Sequence, residues 1–332
     1  MLPIMCLWKW CKRIAPTLLA VGLANSTSHS AERIRIATQI TGTLAWELEV
    51  VRDHALDRIA DLNIQTMDLA STEGGQVALR GGSVDLILSD WLWVSRERAL
   101  GDDLVFYPYS SALGAVMVPA SSPIENVAGL KGRKLGVAGG PLDKSWILLQ
   151  AFARKSGVNL KKQADVVYGA PPLLSEKAVQ GETDATLTFW NFCARLEAQG
   201  MRRAIEMADV MRQLGATGRV AMVGYVFHES WARQNREVLD QFLAAGDEAN
   251  KILANSPSEW QRLASRIGVS NAAALDIYRR RYVEGIPNRP LVEEQADATT
   301  LYRVLANVGG TDLVGPAPEL AAGSFYMARP KK

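Results

Sequence analysis

The sequence is poor in the residues that most catalytic chemistry needs. Of its three cysteines, Cys6 and Cys11 stand in an N-terminal segment with leader-like features, which leaves Cys193 alone in a mature chain. One cysteine cannot close an internal disulfide or build a zinc or iron–sulfur site. Outside the leader the histidines are His54 and His228, far apart and without a Cys, Ser or metal-ligand neighbour in any recognisable pattern. There is no GxSxG, HExxH, P-loop or GxGxxG, and the carboxylates form no evident acid–base pair. Long apolar runs are missing too: the run at 14–24 has 11 residues, too few to cross a bilayer as a helix. Net charge is only +2, with no basic stripe of interleaved aromatics, which argues against nucleic acid as a partner. No cofactor and no metal is expected.

What is present is an ordinary globular composition, 48% hydrophobic and 22% charged over 332 residues, enough chain for two domains and a sizeable core. The N-terminus has the layout of a secretory signal peptide. Lys9, Lys12 and Arg13 form a basic region, the apolar run follows, and Ser28-His29-Ser30 before Ala31 offers a cleavage site. Cleavage after Ala24, or retention as an anchor, are the alternatives. Without residues 1–30, which carry those three basic side chains and no acidic one, the net charge becomes −1.

The rest alternates strands and helices. Residues 34–37, 64–69 and 84–88 read as strands. Between the first two lies a helix with Leu44, Leu48, Val51 and Ala55 on one face. Ser71 to Gly74 caps a shorter helix that Gly81-Gly82-Ser83 ends. The run 84–88, apolar except for Asp85, is of the kind buried on both faces of a parallel sheet. Residues 114–119 form another strand, running into Ser121-Ser122-Pro123 as a crossing. A second βα series follows, with strands at 135–138, 166–168 and 185–188. Residues 220–226 read as a return strand, and after it the chain is nearly all helix.

Residues 129–146 organise the second series: a Lys131-Gly132 turn, a buried strand, the loop Gly139-Gly140-Pro141 and a helix start capped by Asp143 or Ser145. Glycines there let a ligand approach the backbone, and free N–H groups at a helix start attract anions or polar ligand ends. In open α/β sheets ligands bind beyond the carboxyl ends of the strands. That rule selects four loops: Gln39, Thr41, Gly42 and Thr43; Ser89, Asp90 and Trp91; Gly139, Gly140, Leu142 and Lys144; and Phe189, Trp190 and Asn191. Tyr225, at the end of the return strand, is a weaker addition. Each has a structural reading beside the functional one. Thr43 and Asp90 are natural helix caps, the tryptophans natural packing residues, and Lys144 a first-turn charge. None of the four loops holds an arginine, so a bidentate clamp on a carboxylate or sulfonate is not expected there.

The run at 118–137, VPASSPIENVAGLKGRKLGV, resembles the start of the second lobe in periplasmic solute-binding proteins, nearest to the nitrate/sulfonate/taurine (NitT/TauT, SsuA-like) type, which includes binders of pyrimidine thiamine precursors. Gly82-Ser83-Val84-Asp85-Leu86 and Gly181-Glu182-Thr183-Asp184-Ala185 resemble that family's matching strands in the two lobes. The chain departs from many members by lacking a glycine-phenylalanine pair within residues 52–63, and Asn191 stands where some relatives carry an acidic residue. The resemblance implies the type II periplasmic binding protein fold, two α/β lobes joined by two crossing strands. Lobe 1 would be 31–118 with 222–332, and lobe 2 would be 119–221. It implies a periplasmic, monomeric, non-enzymatic component of an ABC importer. Such a protein closes on a small solute at the four loops and at Tyr225, then docks on a membrane permease driven by an ATPase. A thiamine-pyrimidine synthase-like enzyme on the same fold, or a ligand-sensing partner of a membrane receptor, are the alternatives.

Overall fold

A computed structural model describes residues 31–39, 42–269 and 271–327. The leader expected at 1–30 and Thr41 of the first loop lie outside these residues. Among the described residues, ten strands form two five-stranded sheets. The strands are β1 Glu32–Gln39, β2 Leu62–Leu69, β3 Leu86–Ser89, β4 Leu104–Ser110, β5 Ala115–Pro119, β6 Lys134–Ala138, β7 Asp165–Gly169, β8 Ala185–Thr188, β9 Met201–Glu206 and β10 Val223–His228.

The first sheet has the order β2-β1-β3-β10-β4 and the second β7-β6-β8-β5-β9. Each has three parallel strands at one side and two more joined through antiparallel pairings at the other, of which only the inner one runs opposite to the rest. The two sheets therefore share one plan, with β5 and β10 in the equivalent fourth position. The chain leaves the first sheet after β4 and returns through residues 207–222 into β10. This is a mixed α/β fold of two lobes joined by two crossings. β5 pairs with β8 and β9, so the change of sheet falls before Ala115, not at residue 118 or at the Ser-Pro segment after it. The reason is burial: Val116 and Val118 are fully enclosed within the second sheet, where a run of apolar residues belongs.

Both strands that the sequence pattern leaves unassigned, β4 and β9, are sheet edges. β4 carries Pro108, tolerated only where no ladder bond is needed. β9 is Met-Arg-Arg-Ala-Ile-Glu, too polar to read as a buried strand. The return strand starts at Val223 rather than at 220. Residues 220–222 are buried, but side chains satisfy their backbone: Ala221 O accepts from Trp91 Nε1 at 3.0 Å and Ala221 N donates to Glu294 Oε1 at 2.5 Å.

Three helix starts follow the expected chemistry. Ser71 Oγ accepts from Gly74 N at 3.2 Å, Asp90 Oδ1 from Trp93 N at 2.9 Å, and Asp143 Oδ1 from Trp146 N at 3.1 Å. After β10 the chain is helical, broken at Asn235 between Glu229–Gln234 and Arg236–Asn255. Helix Ala272–Val283 packs on Trp190–Ala198, and Leu291–Gly309 packs on Lys144–Lys155. The C-terminal helices thus reach across to the second lobe. No helix among the described residues is long and apolar enough to cross a membrane.

Candidate functional site

The carboxyl ends of β1, β3, β6 and β8 face the zone between the lobes, and both crossings run there. Ala115 at the start of β5 pairs with Thr188 at the end of β8, and Gly224 near the start of β10 pairs with Ser89 at the end of β3. Gly114 fits only as glycine, because a Cβ would lie 1.6 Å from Thr188 O.

One contact joins the second and third loops directly. Lys144 Nζ, at the start of helix Lys144–Lys155, lies 2.8 Å from Asp90 Oδ2, the cap of helix Trp91–Ala99. The Asp90 charge holds the Lys144 ammonium above its ordinary pKa. Beside it, burial pushes the Asp143 carboxyl up to about 6, although that carboxyl also caps its helix. Gly139 and Gly140 have φ of +93° and +154°. A Cβ on Gly140 would meet nothing within 4 Å, so this loop is open on one side. Leu142 and Phe189 are exposed at the loop ends, 42% and 38%.

The first loop is tied to its own lobe. Gln39 Nε2 donates to Thr72 Oγ1 at 2.6 Å, and Gly42 N closes a turn onto Gln39 O at 2.9 Å. Thr43 does not cap helix Leu44–Asp53 with its side chain. Its hydroxyl lies 3.4 Å from Tyr109 Oη instead. Ser89 Oγ accepts from Gln76 Nε2 at 3.1 Å. Asn191 is half-buried in the first turn of helix Trp190–Ala198.

The tryptophans divide. Trp190 meets Trp46 of the first lobe edge to face at 6.0 Å, within a cluster that includes Trp260, Tyr278 and Tyr282. It therefore bridges the lobes. Trp91 is fully buried, packs against Tyr302 and spends its indole N–H on Ala221 O. Its side chain belongs to the core, in the same apolar cluster as Ile87, Val94 and Tyr302.

Tyr225 leads to a cluster that the sequence reading did not contain. Its hydroxyl donates to Glu47 Oε1 at 2.8 Å; Tyr282 Oη lies 3.3 Å from Glu47 Oε2 and donates to Asn250 Oδ1 at 2.7 Å. Tyr109 stands edge-on to Tyr225 at 5.2 Å. Glu47 is fully buried, and burial pushes its carboxyl up to about 7 against the tyrosine hydrogen bonds. Burial lifts the Tyr109, Tyr225 and Tyr282 hydroxyls well above their ordinary values. One signal for this cluster was present: Glu47 shares the helix face of Leu44, Leu48 and Val51, all buried. A carboxyl on an apolar stripe is costly unless partnered.

Reactive groups are placed otherwise. Cys193 is buried against the Ala115 and Thr188 carbonyls, and burial pushes its thiol up to about 12. His54 is paired to Glu259 at 3.0 Å and His228 to Asp103 at 2.6 Å, on different parts of the first lobe.

The sequence model of the NMT1/THI5-like family matches residues 94–260. No curated protein matches the chain in sequence. Among solved structures, the chain is similar to the periplasmic aliphatic sulphonate binding protein SsuA from Escherichia coli, with TM-score 0.67 and 22% identity over 87% of this chain and 95% of that one. It is also similar to the alkanesulfonate-binding protein SsuA from Xanthomonas axonopodis pv. citri bound to MOPS, with TM-score 0.66 and 19% identity over 89% and 98%. The desulfurization enzyme DSZB shares the fold at TM-score 0.57 and 14% identity, over 84% and 92%.

Proposed function

The chain belongs to the NMT1/THI5-like family, and from that premise we propose that it is the solute-binding component of an ABC importer. The observation that carries this reading is the Lys144–Asp90 contact at 2.8 Å, which brings a helix start of each lobe to one place. Two helix starts, an open glycine loop and exposed Leu142 and Phe189 suit a small polar or anionic organic solute: N–H groups hold its polar end and apolar side chains cover the rest. The SsuA proteins bind sulfonates, and the compound classes that suit this site are broader: sulfonates, nitrate, pyrimidines and small amines.

Binding needs no bond made or broken. The solute favours the closed arrangement only as far as it binds that arrangement better. Residues 32–110 with 223–327 act as one lobe and 115–206 as the other. The loaded protein then meets a membrane permease and its ATPase, outside the cytoplasm, after export directed by residues 1–30. An enzymatic role is disfavoured by the chemistry of the groups present. A thiol held near 12 is not a nucleophile at neutral pH, and neither histidine lies beside it.

Native mass spectrometry of whatever co-purifies, followed by thermal-shift screening of the four compound classes, tests the reading. A compound that raises the melting temperature, and loses that effect in Lys144→Met, supports it. No stabilisation by any class, and no co-purifying small molecule, removes it.

A further inference from the structure

We propose that the base of the second lobe, at the amino ends of its parallel strands, is a docking face for a bilayer that carries anionic phospholipid. Three segments meet there: 125–134, 154–165 and 177–184. Together they hold eight lysines and arginines against four carboxylates, Glu125, Asp165, Glu182 and Asp184. The rest of residues 31–332 has the opposite balance, 26 basic side chains to 31 acidic. The positive charge is therefore gathered at one place on a chain that is slightly acidic as a whole, and a local excess of this kind sets what the surface attracts.

The backbone ties the segments together. β6, β7 and β8 are parallel and start level, with Lys134 opposite Asp165 and Leu135 opposite Ala185. Gly132 N donates to Gln163 O at 2.6 Å, Asp165 N to Arg133 O at 2.9 Å and Asp184 N to Lys134 O at 2.9 Å. Helix Lys144–Lys155 starts beyond the carboxyl end of β6 and runs back along the sheet, so Arg154 and Lys155 in its last turn reach the same base. Neighbouring strands lie about 4.8 Å apart, which puts the three strand starts within about 10 Å. That is about one screening length at about 0.1 M salt, so these charges act together on an approaching surface. All but Lys177 of the eight are exposed. Lys177 pairs with Glu182, and Arg133 lies 4.0 Å from Asp184. Lys131, Arg154, Lys161 and Lys162 have no ion pair among the described residues.

The composition of the face selects its partner. Six of the eight are lysines, compact hydrated charges on flexible stems, which suit a diffuse anionic layer better than fixed carboxylates that call for arginine forks. The three segments contain no aromatic residue. The face thus lacks the aromatic anchors that carry protein interfaces and the stacking surfaces that hold single-stranded nucleic acid. Val179 is the one large apolar side chain exposed in these segments. A bilayer surface needs neither anchor nor stack, because clustered lysines are drawn to anionic headgroups by charge alone. Docking at the base leaves the opposite ends of the same strands uncovered, where Lys144 meets Asp90. Attraction to the membrane is then independent of the solute carried.

Co-sedimentation with vesicles tests the face, using phosphatidylcholine alone and phosphatidylcholine with one third phosphatidylglycerol. Binding is measured at about 0.1 M and about 1 M salt, between which the screening length falls from about 10 Å to about 3 Å. Two triple variants are compared with wild type. The first is Lys131→Gln with Lys161→Gln and Lys162→Gln. The second, Arg233→Gln with Arg236→Gln and Lys251→Gln, removes the same charge from exposed positions on the first lobe. Wild type should bind the anionic vesicles at least tenfold more tightly than the neutral ones and lose that preference at about 1 M salt. The first variant should bind the anionic vesicles at least tenfold more weakly than wild type, and the second should match wild type. No preference for anionic vesicles, wild-type binding by the first variant, or equal loss in both variants overturns the face. Binding of poly-glutamate without binding of anionic vesicles assigns the base to an acidic protein and overturns the lipid reading.

Discussion

Replacing Glu47 by Gln should make the protein's stability less sensitive to pH, and the geometry fixes both sign and size. The Glu47 carboxyl is fully enclosed between Tyr225 and Tyr282. Its folded value, about 7, stands above the ordinary 4.5, with burial as the main cause. A raised folded value means that the folded state holds the proton more tightly than the unfolded chain does. Its contribution is therefore complete below about pH 4.5 and is lost as pH rises to about 7. At about 1.4 kcal/mol per pH unit, the loss is about 3 kcal/mol. Gln keeps the shape: its carbonyl accepts from Tyr225, and its amide donates to Tyr282, whose oxygen is free to accept while its proton goes to Asn250. Urea unfolding of wild type and Glu47→Gln at pH 5, 6, 7 and 8 reads the difference directly, because every other titrating group is common to both. The variant should gain on wild type as pH rises, by about 3 kcal/mol in all. A difference that stays flat from pH 5 to pH 8 would refute the buried, proton-holding Glu47.

Three further outcomes follow from contacts already described. Trp91→Ala empties a fully buried site and frees Ala221 O, so it should cost about 3–5 kcal/mol in urea unfolding while the folded fraction keeps its solute affinity. Asp143→Ala removes the cap on Trp146 N and should cost about 1 kcal/mol, with Asp143→Asn closer to wild type. Part of the Asp143→Ala cost should fade between pH 4 and 6, because ionising the raised Asp143 carboxyl disfavours the fold. Cys193, buried and held near 12, should resist a thiol reagent in the native protein and react at once in urea; fast native labelling would contradict its placement.

The alternation of strands and helices was legible in the sequence because burial leaves a local mark. Residues 84–88 are apolar but for Asp85, residues 135–138 are apolar and run into Gly139, and Asp90 and Asp143 are capping residues at the right offset. Two of the four edge strands leave no such mark. β4 hides behind Pro108 and β9 behind Arg202, Arg203 and Glu206, since an edge can be polar or lack a donor without breaking the ladder. Residues 220–222 misled in the other direction, being apolar and buried yet tied by Trp91 and Glu294 rather than by a neighbouring strand.

The sequence by itself determined the βα order, the caps at Ser71, Asp90 and Asp143, and which loops end at strand carboxyl termini, because each depends on residues within a turn or two of one another. Only the tertiary structure decided what those loops meet. Lys144 is separated from Asp90 by 54 positions and Glu47 from Tyr225 by 178, and no periodicity encodes such distances. It sent Trp91 into the core and Trp190 across to Trp46, although both follow a strand end. It also brought Arg203, Arg219 and Arg281 together beside Trp190. In the sequence they are three arginines on unrelated segments. In the fold they pair with Glu197, Glu206 and Glu284, because folding places charges by topology and then requires each buried one to find a partner.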